Sequence, residues 1–149
     1  MKALFIGGTG TISMGIIKRL AEDPQWEVYL LNRGSRKDEV PEGIHQITAD
    51  INNEEDVLKK LEGMTFDTVS EFIAFDVNAV ERDYRLFKGK TRQYIFISTN
   101  VALNHEYVLE INEDLPTGND YSNYGNMKAQ CEVQIETIKV SAMHAGMHC

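Results

Sequence analysis

Cysteine is scarce in this chain: two thiols in 149 residues, Cys131 and Cys149, cannot make a disulfide framework, so a reducing cytoplasm is the expected setting. Positive charge is scarce too. Lys and Arg number 15 against 23 Asp and Glu, a formal net charge of −8. Phosphate backbones reward clustered cations, so no nucleic-acid partner is expected, although a local phosphate site is still allowed. No apolar run approaches the length that spans a bilayer, and no charged n-region, apolar h-region and cleavage pattern opens the chain, so no membrane partner is expected. Internal repeats beyond a strand-helix alternation, low-complexity tracts and linkers are missing. The irregular stretch before Pro116 carries an acidic run, Glu110, Glu113 and Asp114. With no second cluster to complete a cation site it reads as a solvated face, and no metal is expected. What remains, 42% hydrophobic residues, suits one soluble globular domain over 1–149, or a piece of one.

The stretch that organises the chain is Gly7-Gly8-Thr9-Gly10-Thr11-Ile12-Ser13. It follows a short apolar strand, Ala3–Ile6, and leads into an amphipathic helix, Met14–Ala21. A strand-to-helix turn without bulky side chains lets the backbone approach a pyrophosphate and aims the first free helix N–H groups at it. Gly7, Gly8, Thr9, Gly10, Thr11 and Ile12 are therefore the candidate contacts of a dinucleotide, NAD or NADP. Ser13 stands where such turns prefer Gly or Ala and is still small enough for close helix-to-strand packing.

A second strand, Glu27–Leu31, ends on Asn32-Arg33-Gly34. An acid there would bind both adenosine ribose hydroxyls of NAD. Asn32 can still bond a ribose, and Arg33 offers a planar cation suited to a 2′-phosphate, which tilts the cofactor toward NADP unless Arg33 is only a solvated loop cation. After a polar loop, Ser35–Gly43, a third strand, Ile44–Ala49, ends at Asp50 with Ile51 beside it. Asp50 either accepts the adenine amine or caps the helix that begins near Asn53, whose stripe is Val57, Leu58 and Leu61. His45 reads as a strand-surface residue. The fourth strand, Phe66–Ala74, brings Ala74 to the nicotinamide end. A helix, Asp76–Lys88, faces the core with Val77, Val80, Tyr84 and Phe87. A fifth strand, Gln93–Ile97, ends on Ser98-Thr99-Asn100. This alternation means an α/β fold: a Rossmann-type doubly wound parallel sheet of about five strands, order 3-2-1-4-5, in three α/β/α layers.

An irregular stretch, Val101–Asn119, holds Asn104-His105-Glu106-Tyr107 and has the length of a functional or mobile loop. It precedes a long helix from about Asp120 to Met143. Within that helix Tyr124 and Lys128 are four apart, on one face. A phenol is a poor acid-base catalyst near neutrality unless its anion is stabilised, and a neighbouring ammonium does that. Lys128 can also bind the nicotinamide ribose, and the Thr99 hydroxyl can hold a substrate oxygen.

Taken together, the glycine turn, Asn32-Arg33-Gly34, Asp50, Phe96-Ile97-Ser98-Thr99 and Tyr124-Gly125-Asn126-Met127-Lys128-Ala129 resemble the extended and atypical short-chain dehydrogenase/reductase superfamily, in particular its NAD-dependent epimerase/dehydratase group. The resemblance covers the chain to about Ile138. It implies Tyr124 as general acid/base, Lys128 as its phenolate-stabilising and ribose-binding partner, and Thr99, with Ser98 as neighbouring candidate, as third member of a catalytic triad. It also implies hydride transfer from a sugar or nucleotide-sugar hydroxyl, reversed again in epimerases and dehydratases. Two departures stand out: Ser13 for the usual Gly, and Glu71 near the place of a histidine or small residue. A third is length. Members of the group continue into a substrate-binding C-terminal region, so the chain is expected to be an incomplete domain, truncated after the catalytic helix. Little activity of its own is expected, and an apolar sheet edge invites association, for instance as a homodimer. The alternatives are a non-catalytic regulatory or RNA-associated NAD(P)-binding module, and a one-way NADPH reductase. His144 and His148 have helical ligand spacing with Cys149 adjacent, but Gly146 interrupts the helix, and they read as a frayed tail.

Overall fold

The computed structural model describes residues 1–35, 40–104, 111–112, 114–119 and 121–144, the side chains of 140–144 excepted. The expectations that rest on His105, Glu106, Tyr107, Glu110, Glu113, Asp120, His148, Cys149 and the His144 side chain lie outside the described residues. The chain divides into two compact units, one of Met1–Ile73 with Arg82–Phe96, the other of Ala74–Glu81 with the chain from Ile97 onward.

The first unit carries five parallel strands, β1 (Lys2–Ile6), β2 (Glu27–Asn32), β3 (His45–Thr48), β4 (Phe66–Glu71) and β5 (Thr91–Phe96), in the order β3-β2-β1-β4-β5. With them go α1 (Thr11–Ala21), α2 (Glu54–Lys60) and the end of α3 (Val77–Phe87), which begins in the second unit. The two-residue period of β1 sorts its side chains to opposite faces. Leu4 and Ile6 enter one core with Leu31, Val57, Leu61, Val69, Leu86 and Phe87, under α2 and α3. Ala3 and Phe5 enter a second core with Ile17 of α1, Val28 and Leu30. Each fully buried Leu or Ile contributes about 1.5–3 kcal/mol, and a central strand buried on both sides explains the unbroken apolar run that opens the chain. The three-layer α/β/α arrangement and the strand order follow the expectation.

Element ends are set by polar side chains that hydropathy does not rank. Asn53 Oδ1 accepts the Asp56 N–H at 3.2 Å and caps α2. Asp50, exposed, accepts the Asn52 N–H at 3.0 Å within the preceding turn. β4 stops at Glu71, three residues short of Ala74, because the Glu71 carboxylate takes the Ile73 N–H and ends the ladder. The edge strand β5 exposes Arg92 and Gln93 as well as Ile95, and the two polar residues blunt the apolar edge that the sequence suggested.

Among the described residues of the second unit, a 3-10 turn, Asn100–Ala102, and α4 (Asn123–His144) stand beside the start of α3. α4 begins three residues later than the sequence suggested because Ser122 Oγ accepts the Gly125 N–H at 3.1 Å. The stem of the irregular stretch is closed by a bridge between Leu103 and Thr117, and by Asn104 N–H to Pro116 O and Gly118 N–H to Ala102 O, both at 2.8 Å. Among the described residues no helix is long and apolar enough to cross a membrane.

Candidate functional site

The glycine turn is built by close approach. Gly7 has φ +74°, the left-handed region that favours glycine, and its N–H donates to Leu31 O at 3.2 Å, fastening the turn to β2. A Cβ on Gly8 would lie 2.6 Å from Ile17 Cδ1 and 2.7 Å from Leu30 Cδ1. Gly8 is therefore what lets α1 start so near the sheet. Ser13 does more than fit. Fully buried, its hydroxyl donates to Gly10 O and accepts the Gly10 N–H, both at 3.0 Å, so α1 is locked onto the turn from Thr11. Thr11 and Ile12 are exposed at its first turn, where backbone N–H groups have no intrahelical acceptor.

Around that turn the other candidates take distinct postures. Asn32 Oδ1 accepts the Gly34 N–H at 2.8 Å, shaping the end of β2 and leaving Arg33 exposed. Ile51 is buried in the core below the exposed Asp50.

Beside them lies a buried polar cluster that the sequence reading passed over. Arg82 of α3 donates to Asp83 Oδ1 from Nε at 3.0 Å and from NH2 at 2.8 Å, and to Asn52 Oδ1 from NH1 at 2.9 Å. Its NH2 is 3.8 Å from Glu71 Oε2. The Tyr94 hydroxyl donates to Asp83 Oδ2 at 2.8 Å. Glu71 is fully buried at the end of β4. Burial, reinforced by the Asp83 carboxylate, pushes its carboxyl up to about 8. The signal that could have found the cluster was an acid inside an apolar strand together with Arg82-Asp83 on the stripe between Val80 and Phe87.

In the second unit Lys128 is the best-defined member. It is buried, and its Nζ donates to Ala74 O at 2.8 Å and Ile97 O at 2.7 Å. The same ammonium lies 5.3 Å from the centre of the Phe75 ring, and the Tyr124 ring stands 6.0 Å from it, so Tyr124 and Lys128 share one aromatic neighbour while Tyr124 remains 44% exposed. Thr99 caps the 3-10 turn by accepting the Val101 N–H at 3.4 Å, which leaves its own proton to give. Ser98 has committed its proton to Glu132 of α4. Asn119, also passed over in the sequence, is buried. Its side-chain amide donates to Val101 O at 3.1 Å and its backbone N–H donates to Asn126 Oδ1 at 2.6 Å, tying the loop stem to α4.

No protein-family model and no curated protein matches the chain. Solved structures do. The UDP-Glc/GlcNAc 4-epimerase from Campylobacter jejuni superposes with a TM-score of 0.80 at 17% identity, 96% of this chain covering 49% of that one. A UDP-galactose 4-epimerase gives 0.75 at 21%, with 92% and 51% covered. The dTDP-glucose 4,6-dehydratase from Bacillus anthracis, solved in complex with NAD, gives 0.73 at 15%, with 93% and 52% covered. The chain has their Rossmann-type fold. It spans about half the length of these enzymes.

Proposed function

We propose that the chain is the cofactor-binding core of an NAD(P)-dependent epimerase/dehydratase-type oxidoreductase acting on a nucleotide-sugar. The observation that carries this reading is Lys128, a buried ammonium held by the Ala74 and Ile97 carbonyls beneath a ring that Tyr124 also borders. A buried lysine is costly to keep unless its charge is used or paired, and here it sits one helical turn from a half-exposed phenol.

The residues fit a dinucleotide: Gly8 admits the helix where a Cβ would be blocked by Ile17 and Leu30, and the start of α1 presents N–H donors to a pyrophosphate. Bound cofactor would supply a hydride acceptor. Gly7, Gly8, Thr9, Gly10, Thr11 and Ile12 would hold its pyrophosphate, Asn32 and Arg33 the adenosine ribose, Asp50 and Ile51 the adenine, and Ala74 would border the nicotinamide. Tyr124 would take the proton of the substrate hydroxyl at its phenolic oxygen and return it. Lys128 would stabilise the phenolate and bind the second ribose, and Thr99 would donate its free proton to the substrate oxygen. The neighbours solved with NAD support NAD as cofactor; the exposed Arg33 supports NADP and, with it, a one-way reductase.

Titrating the chain with NADH and NADPH and following nicotinamide fluorescence tests the binding half, and no response to either overturns it. In the full-length enzyme, Tyr124→Phe should leave cofactor affinity unchanged and cut UDP-sugar turnover by about 10²–10⁴-fold. Undiminished turnover would reject the acid-base role of Tyr124.

A further inference from the structure

The first unit contains a second device that connects to the glycine turn through one residue. Glu71 Oε1 accepts the backbone N–H of Ile73. The Ile73 side chain in turn occupies the space next to the Gly7 α carbon: a Cβ on Gly7 would meet Ile73 Cγ2 in overlap and lie 3.1 Å from Cγ1. Ile73 is 40% exposed, so its place there is fixed less by a surrounding core than by the bond to its own backbone. Enclosing Glu71 are Arg82 and Asp83 from α3, Tyr94 from β5 and, through Arg82, Asn52 from the turn that carries Asp50 and Ile51.

We propose that Glu71 is a positioning residue for the dinucleotide: it sets Ile73 against the glycine turn, and through Arg82 and Asn52 it couples that setting to the Asp50–Ile51 turn. The inference rests on the reading of both turns as cofactor contacts. It also assigns the cluster a proton dependence. Glu71 shares the cluster with the Asp83 carboxylate, the Arg82 guanidinium and the Tyr94 phenol, and a proton on Glu71 lets the two acids share a hydrogen bond. Losing that proton puts a second negative charge beside Asp83 inside the buried cluster, and the carboxylates repel. The segment after β4 then has to move, and Ile73 with it. Dinucleotide affinity should therefore fall as pH rises through the range in which Glu71 ionises, which burial places near neutrality or above.

The test compares NADH affinity of the unmodified chain, Glu71→Gln and Ile73→Ala between about pH 6 and about pH 9, at a temperature where circular dichroism shows each fully folded. Glutamine keeps an oxygen for the Ile73 N–H and an N–H for Asp83, and it cannot ionise. The expected result is that the unmodified chain weakens about tenfold across the range, a common size for coupling between sites, while Glu71→Gln matches it at the acid end and stays flat. Ile73→Ala, which leaves the cluster intact, should bind several-fold more weakly throughout and keep the pH dependence of its fold. A purely structural Glu71 would shift melting temperature and leave the affinities of the folded proteins parallel; parallel profiles overturn the positioning role. If the unmodified chain binds neither NADH nor NADPH at any pH, the dinucleotide reading itself falls, an outcome distinct from parallel binding curves.

Discussion

Replacing Gly125 by Ala lowers the stability of the folded chain by about 1–3 kcal/mol, the usual cost of an overpacked contact. In an open helix the same change would raise stability by up to about 1 kcal/mol, because alanine is the better helix former and restricts the unfolded chain. Here the new Cβ would overlap the Val101 carbonyl oxygen and lie 2.9 Å from its carbon. That carbonyl is backbone, already held by Asn119 Nδ2 at 3.1 Å. Relief would require moving the 3-10 turn, and with it the Thr99 cap. The molecule carries its own control: Gly15 lies within α1, and a Cβ there meets nothing within 4 Å. Urea midpoints of the two alanine variants should move in opposite directions, Gly15→Ala upward and Gly125→Ala downward. A Gly125→Ala variant as stable as the unmodified chain would show that α4 does not rest on that carbonyl.

Arg82→Met is expected to cost more, about 3–5 kcal/mol near pH 8, the range for breaking a buried ion pair by removing one partner. Arg82 is 8% exposed, supplies two bonds to Asp83 and one to Asn52, and places its NH2 3.8 Å from Glu71 Oε2. Without it Asp83 keeps the bond from Tyr94 but loses both bonds from the guanidinium. The loss should shrink in acid. Glu71 is raised on folding from an ordinary 4.5 to about 8, so the native state holds a proton that the unfolded state has released between those values. Stability contributed by that proton is complete below about 4.5 and declines as pH rises to about 8. The unmodified protein should follow the same slope. In the variant the slope should be steeper, because the Arg82 charge that favours ionised Glu71 is gone while the Asp83 charge that opposes it remains. Denaturant titrations at about pH 5 and about pH 8.5 give the sign, and equal losses at both would mean that the cluster is solvated.

Most of the fold was legible because its causes are local and repeated. Five short strands, most of them separated by helices, with a glycine turn after the first, leave few arrangements besides a parallel sheet ordered 3-2-1-4-5. The candidate groups were legible for the same reason: Tyr124 and Lys128 share a helix face, and the glycines share a turn. What hydropathy hid were the polar residues that work from inside. Glu71 in Val69-Ser70-Glu71-Phe72-Ile73 looks like punctuation in an apolar run, yet its burial depends on Arg82 and Asp83, which lie eleven and twelve residues away. Ser13 reads as a tolerated substitute for glycine, though its hydroxyl ties down Gly10. Thr99 and Ser98 are indistinguishable in the sequence; only the tertiary partner Glu132 separates them, by taking the serine proton.

Trp26, the single tryptophan, packs against the α1-side core of the first unit, whereas Cys131 is buried on α4 in the second, where loss of solvent pushes its thiol above the ordinary range. The molecule thus carries a native optical probe in one unit and a native chemical one in the other. Indole emission follows melting of the sheet, and the onset of Cys131 alkylation follows exposure of α4. Coincident curves would identify a single cooperative transition; an earlier thiol reaction would identify α4 as the part that opens first.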